Sequence, residues 1–135
     1  MAELPKRPFP AITAANRHFW CGGADGKLHI LRCGACGHWI HPYAARCPKC
    51  RSAGIAPQPV SGRATVVGFT VNHQQWMPHF EVPYIIAIVE PEEQNDVRLM
   101  TNLPRIPIEN VHVGMKVKVY FDRYGDIFCP LFEAA

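Results

Sequence analysis

Cys33-Gly34-Ala35-Cys36-Gly37 and Cys47-Pro48-Lys49-Cys50 are the two strings that decide how this chain folds. The spacing is C-x2-C-x10-C-x2-C. Each pair places two thiolates on one tight turn, and two such turns facing each other form a tetrahedral tetrathiolate site suited to a structural zinc. Glycine after a ligand tolerates positive φ and lets backbone N–H groups turn toward the sulfurs. The second pair is followed by Arg51 and Ser52, where a glycine is expected. Two disulfides or four buried thiols do not account for the repeated spacing. The same ligand set also holds a single iron. His38 and His41 lie between the pairs and could replace a cysteine ligand; with four spaced cysteines present, both read as loop residues. Four protein ligands leave no position for water or substrate, so the metal reads as structural. It is expected to fold residues 28–55, a stretch too short to build a core alone.

Apolar residues make up 48% of the 135 residues, enough for a packed core. No run of 18 apolar residues exists, so no membrane span is expected. Met1 to Pro10 lacks the apolar stretch of a secretory signal, and the paired thiols fit a reduced, cytoplasmic setting. Cys21 and Cys129 read as free thiols, Cys129 within an apolar strand. The charge is uneven. Residues 1–63 carry nine Lys or Arg and two acids, a net of +7; residues 64–135 carry five basic and nine acidic side chains, a net of −4. A bound dication with four thiolates lowers the first figure to +5. The basic half can attract nucleic acid, a phosphate-bearing cofactor or an acidic protein face.

Pro5, Pro8 and Pro10 exclude a helix from the first residues, leaving an extended arm. Thr13 is read as the N-cap of a short helix reaching Trp20, stopped by Gly22-Gly23. Lys27 to Cys33 alternates as a strand entering the metal site. Pro57 and Pro59 mark a linker, and the remainder is strand-like. The expected strands run over Val60–Val71 with bends at Gly62 and Gly68, then Pro83–Glu90, Val97–Leu103, Met115–Phe121 and Ile127–Phe132. Arg123-Tyr124-Gly125-Asp126 is a hairpin turn. Five strands with a long curved first member suit an OB-fold barrel. Pro104 and Pro107 replace the helix often found between its third and fourth strands with an irregular loop or single turn. The fold class is therefore mainly β: a short N-terminal helix, a metal-bound module, then a five-stranded barrel.

Further strings now matter together. They are Phe19-Trp20, Leu28 to Cys33, the two cysteine pairs, Ser61-Gly62-Arg63-Ala64-Thr65-Val66 and Phe69-Thr70-Val71. Pro83-Tyr84, Thr101-Asn102-Leu103, Gly114-Met115-Lys116-Val117 and Pro130-Leu131-Phe132 complete them. In this order the chain resembles the family of small proteins, catalogued as a domain of unknown function (type 35), that join a rubredoxin-like zinc ribbon to an acyl-CoA-associated OB-fold. The resemblance implies three segments: an arm and short helix over 1–27, the ribbon over 28–56 and the OB-fold over 57–135. It implies a non-catalytic accessory subunit of a thiolase-fold enzyme, whether thiolase, aldolase or acyltransferase, in lipid or aromatic degradation. The partner supplies the nucleophile and the acid–base groups, and this chain helps shape the acyl-CoA site. A heterotetramer with two copies of each chain follows from the usual dimer of such enzymes.

For the phosphates of coenzyme A, Arg63, Arg105 and the backbone around Thr101 and Asn102 are the expected contacts, because arginine offers a donor fork matched to phosphate. Trp76, Met77 and Phe80 belong to a mixed aromatic and polar loop suited to an interface. Phe19 and Trp20 either dock on a partner or pack within the chain. His73, His79, Glu81 and Cys129 are the groups that could do chemistry alone; no nucleophile elbow, phosphate loop or zinc-protease motif accompanies them, so no catalytic residue is assigned. The alternative function is a nucleic-acid-binding ribbon and OB-fold module, which the basic half favours and the acidic barrel half opposes.

Overall fold

The computed structural model describes residues 8–78 and 80–135. Residues 1–7 of the expected arm, and His79, lie outside these residues. The chain order is α1 (Arg17–Trp20), a 3-10 turn (Gly22–Asp25), β1 (His29–Cys33), β2 (Trp39–Ile40), β3 (Ile55–Pro59), β4 (Arg63–Asn72), β5 (Tyr84–Pro91) and β6 (Leu99–Asn102). A second 3-10 turn (Ile108–Asn110), β7 (Lys116–Tyr124) and β8 (Ile127–Ala134) follow.

The helix is shorter than its sequence suggests. Asn16, not Thr13, precedes it, and the Asn16 side chain is engaged upstream: its Oδ1 accepts from the Thr13 N–H at 2.8 Å and its Nδ2 donates to the Ala11 carbonyl. Thr13 to Asn16 is thereby a turn that leads into one helical turn.

Two antiparallel sheets follow. The ribbon sheet has the order β2-β1-β3, and the barrel sheet the order β6-β5-β4-β7-β8. The linker expected at Pro57 and Pro59 is instead the edge strand β3, in register with β1 through Leu31↔Pro57 and His29↔Pro59. Prolines fit here because the Val60 N–H bonds to the Leu28 carbonyl. That sets the hydrogen-bonded pairs at even positions of β3, so both proline nitrogens face outward.

In the barrel, β4 is long and bends at a register shift between Val66 and Gly68. The interior alternates as the pleat requires: Ala64, Val66, Ile85, Ala87, Val89, Leu99, Val117 and Phe132 are buried. Gly62 has φ 84, and a Cβ there would meet Val119 Cγ1 at 2.6 Å, so this position excludes any side chain. The barrel closes where the Thr101 hydroxyl of β6 donates to the Pro130 carbonyl of β8 at 3.2 Å. This five-stranded arrangement is the OB-fold.

One core unites ribbon and barrel: Leu28, Ile30 and Trp39 cluster with Val66, Val97 and Phe132, while Leu31, Cys33, Ile40 and Cys47 form a smaller cluster around the sulfurs. Gln94 clamps the two sheets. Its Oε1 accepts from the Trp39 N–H at 2.9 Å and its Nε2 donates to the Trp39 carbonyl at 2.8 Å, so one side chain satisfies both backbone groups of a buried residue.

Candidate functional site

The four sulfurs of Cys33, Cys36, Cys47 and Cys50 lie within 4.8 Å of one another. Cys33 and Cys50 Sγ are 3.5 Å apart, and Cys36 and Cys47 Sγ 3.6 Å; all are free thiols. A zinc with bonds of about 2.3 Å to four sulfurs requires edges of about 3.8 Å, so the ligand set fits the ion. The two turns are built alike. Gly37 N–H bonds to the Cys33 carbonyl and Arg51 N–H to the Cys47 carbonyl, with φ 77 at Gly37 and φ 66 at Arg51.

The electrostatics call for a cation. The N–H groups of Cys36 and Ala35 hold the Cys33 thiol down at about 6. At Cys47 burial acts to raise the thiol, and the N–H groups of Cys50 and Lys49 outweigh it, leaving it below the usual range. At Cys50 the Ser52 N–H favours the thiolate, but the other sulfurs, Cys33 first, prevail and push it up to about 12. Four thiolates cannot share this volume without a positive ion among them. Cys33, Cys36, Cys47 and Cys50 would hold a zinc, which would supply a cross-link between the two turns.

Arg51 carries the left-handed backbone that Gly37 adopts without cost, so Arg51→Gly is expected to stabilise the ribbon by about 1 kcal/mol. Thermal melting of the metal-loaded protein checks this; a lower melting temperature would show that the side chain does more than tolerate its backbone.

The residues expected to meet coenzyme A do not form one cluster. Thr101 is buried, with its hydroxyl engaged across the barrel seam, so its side chain is turned away from any outer ligand. Asn102 lies on the outer side of β6 and donates to the Ile85 carbonyl at 2.6 Å. Arg63 sits beside Lys118 of β7, and Lys118 beside Glu133 of β8. Arg105 completes that row: it pairs with Glu133 at 2.9 Å and stacks on Tyr120, 3.7 Å from the ring centroid. The Glu133 contact raises its guanidinium above the usual value and offsets its charge. Asn102 shares a row with Ile86 and Thr70, and roughly 20 Å of β4 separates Thr70 from Arg63.

The expected interface residues divide differently. Phe19 is a correction: at 9% exposure it belongs to the core, with its ring against Trp20 and His41 at 4.9 Å each. Trp20, Met77 and Phe80, from two distant segments, line one cavity of about 370 Å³ with Asn102 and Cys129. Trp76 is 74% exposed. Cys129 is buried in β8, a setting unlike that of a reactive thiol.

One feature escaped the sequence reading. β5 buries Ile85, Ala87 and Val89 inside the barrel, which turns Tyr84, Ile86 and Ile88 to the outside. Met100 is in register with Ile88 and is 73% exposed; Asn102 is in register with Ile86. Trp20, Phe80, Tyr84, Ile86, Met100 and Asn102 line one groove on the barrel exterior, and Ile88 extends its apolar strip beside Met100. Its signal was the unbroken run Tyr84 to Val89, which lacks the alternation of a strand with one wet face. Among the described residues no helix is long and apolar enough to cross a membrane.

Two family models match. The ChsH2 rubredoxin-like zinc ribbon domain covers residues 20–56, and the ChsH2 C-terminal OB-fold domain covers residues 57–122. A probable enoyl-CoA hydratase alpha subunit of Thermomonospora curvata is 33% identical over 98% of this chain; the chain spans 42% of that protein. A DUF35 domain-containing scaffold protein of Methanocaldococcus jannaschii is 34% identical over 69% of this chain and 66% of its own length. Among solved structures, a chain of an Ltp2-ChsH2(DUF35) aldolase aligns with a TM-score of 0.83 and 31% identity, over 93% of this chain and 98% of that one. With its zinc ribbon, its OB-fold and these relatives, the chain belongs to the DUF35 family of ChsH2-type proteins.

Proposed function

We propose that this chain is a non-catalytic accessory subunit of a thiolase-fold enzyme acting on acyl-CoA thioesters, a thiolase, aldolase or acyltransferase. It stabilises the partner and helps shape its acyl-CoA site. The observation that carries this reading is the apolar strip Tyr84, Ile86, Ile88 and Met100 on the barrel exterior. Met100 is 73% exposed, Tyr84, Ile86 and Ile88 beside it are half-buried, and an apolar strip of this kind on a barrel exterior is suited to docking of another protein. The aldolase chain with which this fold aligns supports the same reading. Within such a complex the partner supplies the nucleophile and the acid–base groups. This chain contributes a frame: the ribbon is held to the barrel by Gln94 and by a shared core, and the barrel carries the strip. Trp76 and Met77 are the contacts that the 72–80 loop offers. Arg63 and Lys118 are the cations left for a phosphate, since Arg105 is engaged by Glu133. A heterotetramer in a cytoplasmic setting is the assembly we propose.

Met100→Asp tests the reading. Its side chain already faces solvent, so the isolated chain should melt within about 2 °C of the native one, in line with the small effects of surface changes. Association with the partner should weaken at least tenfold, since a carboxylate would be buried unpaired. Unchanged association would remove the strip from the interface.

A further inference from the structure

Exposure alternates among the four sulfur-bearing residues of the ribbon. Cys33 and Cys47 are buried, at 1% each, while Cys36 and Cys50 are exposed. Each exposed cysteine has a buried one from the other turn beside it: Cys50 meets Cys33 at 3.5 Å between sulfurs, and Cys36 meets Cys47 at 3.6 Å. The second turn is cationic. Lys49 and Arg51 flank Cys50, and Arg46 precedes Cys47 and donates to the Arg51 carbonyl at 3.2 Å. All three are exposed, and none has an ion-pair partner among the described residues. Residues 28–56 contain no Asp or Glu. A dication in this site holds the sulfurs as thiolates, the form that attacks an oxidant. An exposed thiolate in a positive setting, with a second sulfur close enough to resolve it, is the arrangement of a cysteine that responds to oxidation.

We propose that the ribbon is a hydroperoxide-sensitive site, in which two cross-turn disulfides, Cys33–Cys50 and Cys36–Cys47, take over the cross-link when the metal leaves. The Cys50 thiolate attacks one peroxide oxygen. An S–O bond forms, the O–O bond breaks and hydroxide leaves, giving a sulfenic acid. The Cys33 thiolate then attacks that sulfur; an S–S bond forms, the S–O bond breaks and a second hydroxide leaves. Two thiolates lose two electrons in total, and one peroxide is reduced. Cys36 and Cys47 react in the same way with a second peroxide, and the dication, left without thiolate ligands, is released. The pairing decides the outcome. Disulfides within a turn, Cys33 with Cys36 or Cys47 with Cys50, leave the two turns unlinked, whereas the cross-turn pairs tie them together at two points. Each cross-turn pair needs to close by only about 1.5 Å to reach a disulfide bond length of about 2 Å. The inference concerns the metal module alone and does not depend on the accessory-subunit reading.

The experiment treats the full zinc-loaded chain with hydrogen peroxide. Zinc retained after gel filtration is measured by elemental analysis, disulfides are mapped by mass spectrometry after digestion in acid, and the ribbon is followed by hydrogen exchange. Peroxide should release the zinc and give Cys33–Cys50 and Cys36–Cys47 as the main pairs. The amides of Leu31, Cys33 and Ile40 should stay within tenfold of their protection in the zinc-loaded chain, whereas a chelator without peroxide speeds their exchange at least a hundredfold. A thiol reductant with added zinc should restore the starting state. Zinc retained against a tenfold excess of peroxide would overturn the inference. So would disulfides within one turn, sulfinic or sulfonic acids at Cys36 and Cys50, or loss of ribbon protection on oxidation.

Discussion

Chelating the metal unfolds the ribbon and loosens the barrel with it. A structural zinc in a four-ligand site contributes about 10–16 kcal/mol in small zinc modules, against about 5–15 kcal/mol for the whole stability of a domain. The ribbon has little else to hold it. Its own cluster is Leu31, Cys33, Ile40 and Cys47, two of which are ligands. The barrel is affected because Leu28, Ile30 and Trp39 sit in the core that it shares with Val66 and Phe132. Losing those three side chains exposes the barrel wall near Val60 and Val97. Elemental analysis should find one zinc per chain. Hydrogen exchange should show the amides of Leu31, Cys33 and Ile40 exchanging at least a hundredfold faster with chelator, with a smaller rise at Val66 and Val89. Cys47→Ser, which alters a buried ligand, should reproduce most of the effect. Protection that survives chelation would mean that the sulfurs cluster for another reason.

Acid destabilises the fold through His41. This side chain is largely buried against Phe19, and its pKa falls to about 4 because burial disfavours the cation, with His18 adding repulsion. His18 itself is lowered by burial and then by His29, whose ring is 3.1 Å from the Asp25 carboxylate. The direction follows from linkage. An unfolded His41 takes up its proton near pH 6.5, and the folded one does so only near pH 4. Stability is therefore complete above pH 6.5 and declines as the pH falls toward 4, by about 3 kcal/mol from His41, with His18 adding in the same sense. Urea unfolding of the native chain and of His41→Leu at pH 7 and pH 4.5 checks this. The metal site weakens in acid for both proteins, so the difference between them isolates the histidine. The native chain should lose more of its stability; parallel losses would show that His41 titrates normally.

The sequence made the metal module and the barrel strands legible because both rest on local signals. Cysteine spacing is one, and the bend at Gly68 in a β-branched run is another. Local signals also misled. Thr13 has the composition of a cap, but Asn16 ties the backbone into a turn first. Pro57 and Pro59 look like a linker until the register shows their nitrogens pointing away from β1. At the candidate sites the limit was three-dimensional. Barrel closure brings Trp20 to Met77 and Phe80, and it places Glu133 on Arg105, neither of which spacing along the chain foretells. Thr101 and Phe19 carry suitable groups but face inward, an outcome set by strand parity and by how α1 seats. The run Tyr84 to Val89 reads from sequence only as an apolar strand; it became informative once the barrel was seen to bury Ile85, Ala87 and Val89 and to leave Tyr84, Ile86 and Ile88 half-buried on its outside.

The accessory role is tested most directly by capturing the tagged chain from a lysate of its native cells and identifying by mass spectrometry what co-purifies in stoichiometric amount. The account predicts a thiolase-fold enzyme that is retained at high salt, as an apolar interface requires, and lost with Met100→Asp. Nucleic acid or ribosomal material that is released at high salt, with no such enzyme, would contradict it.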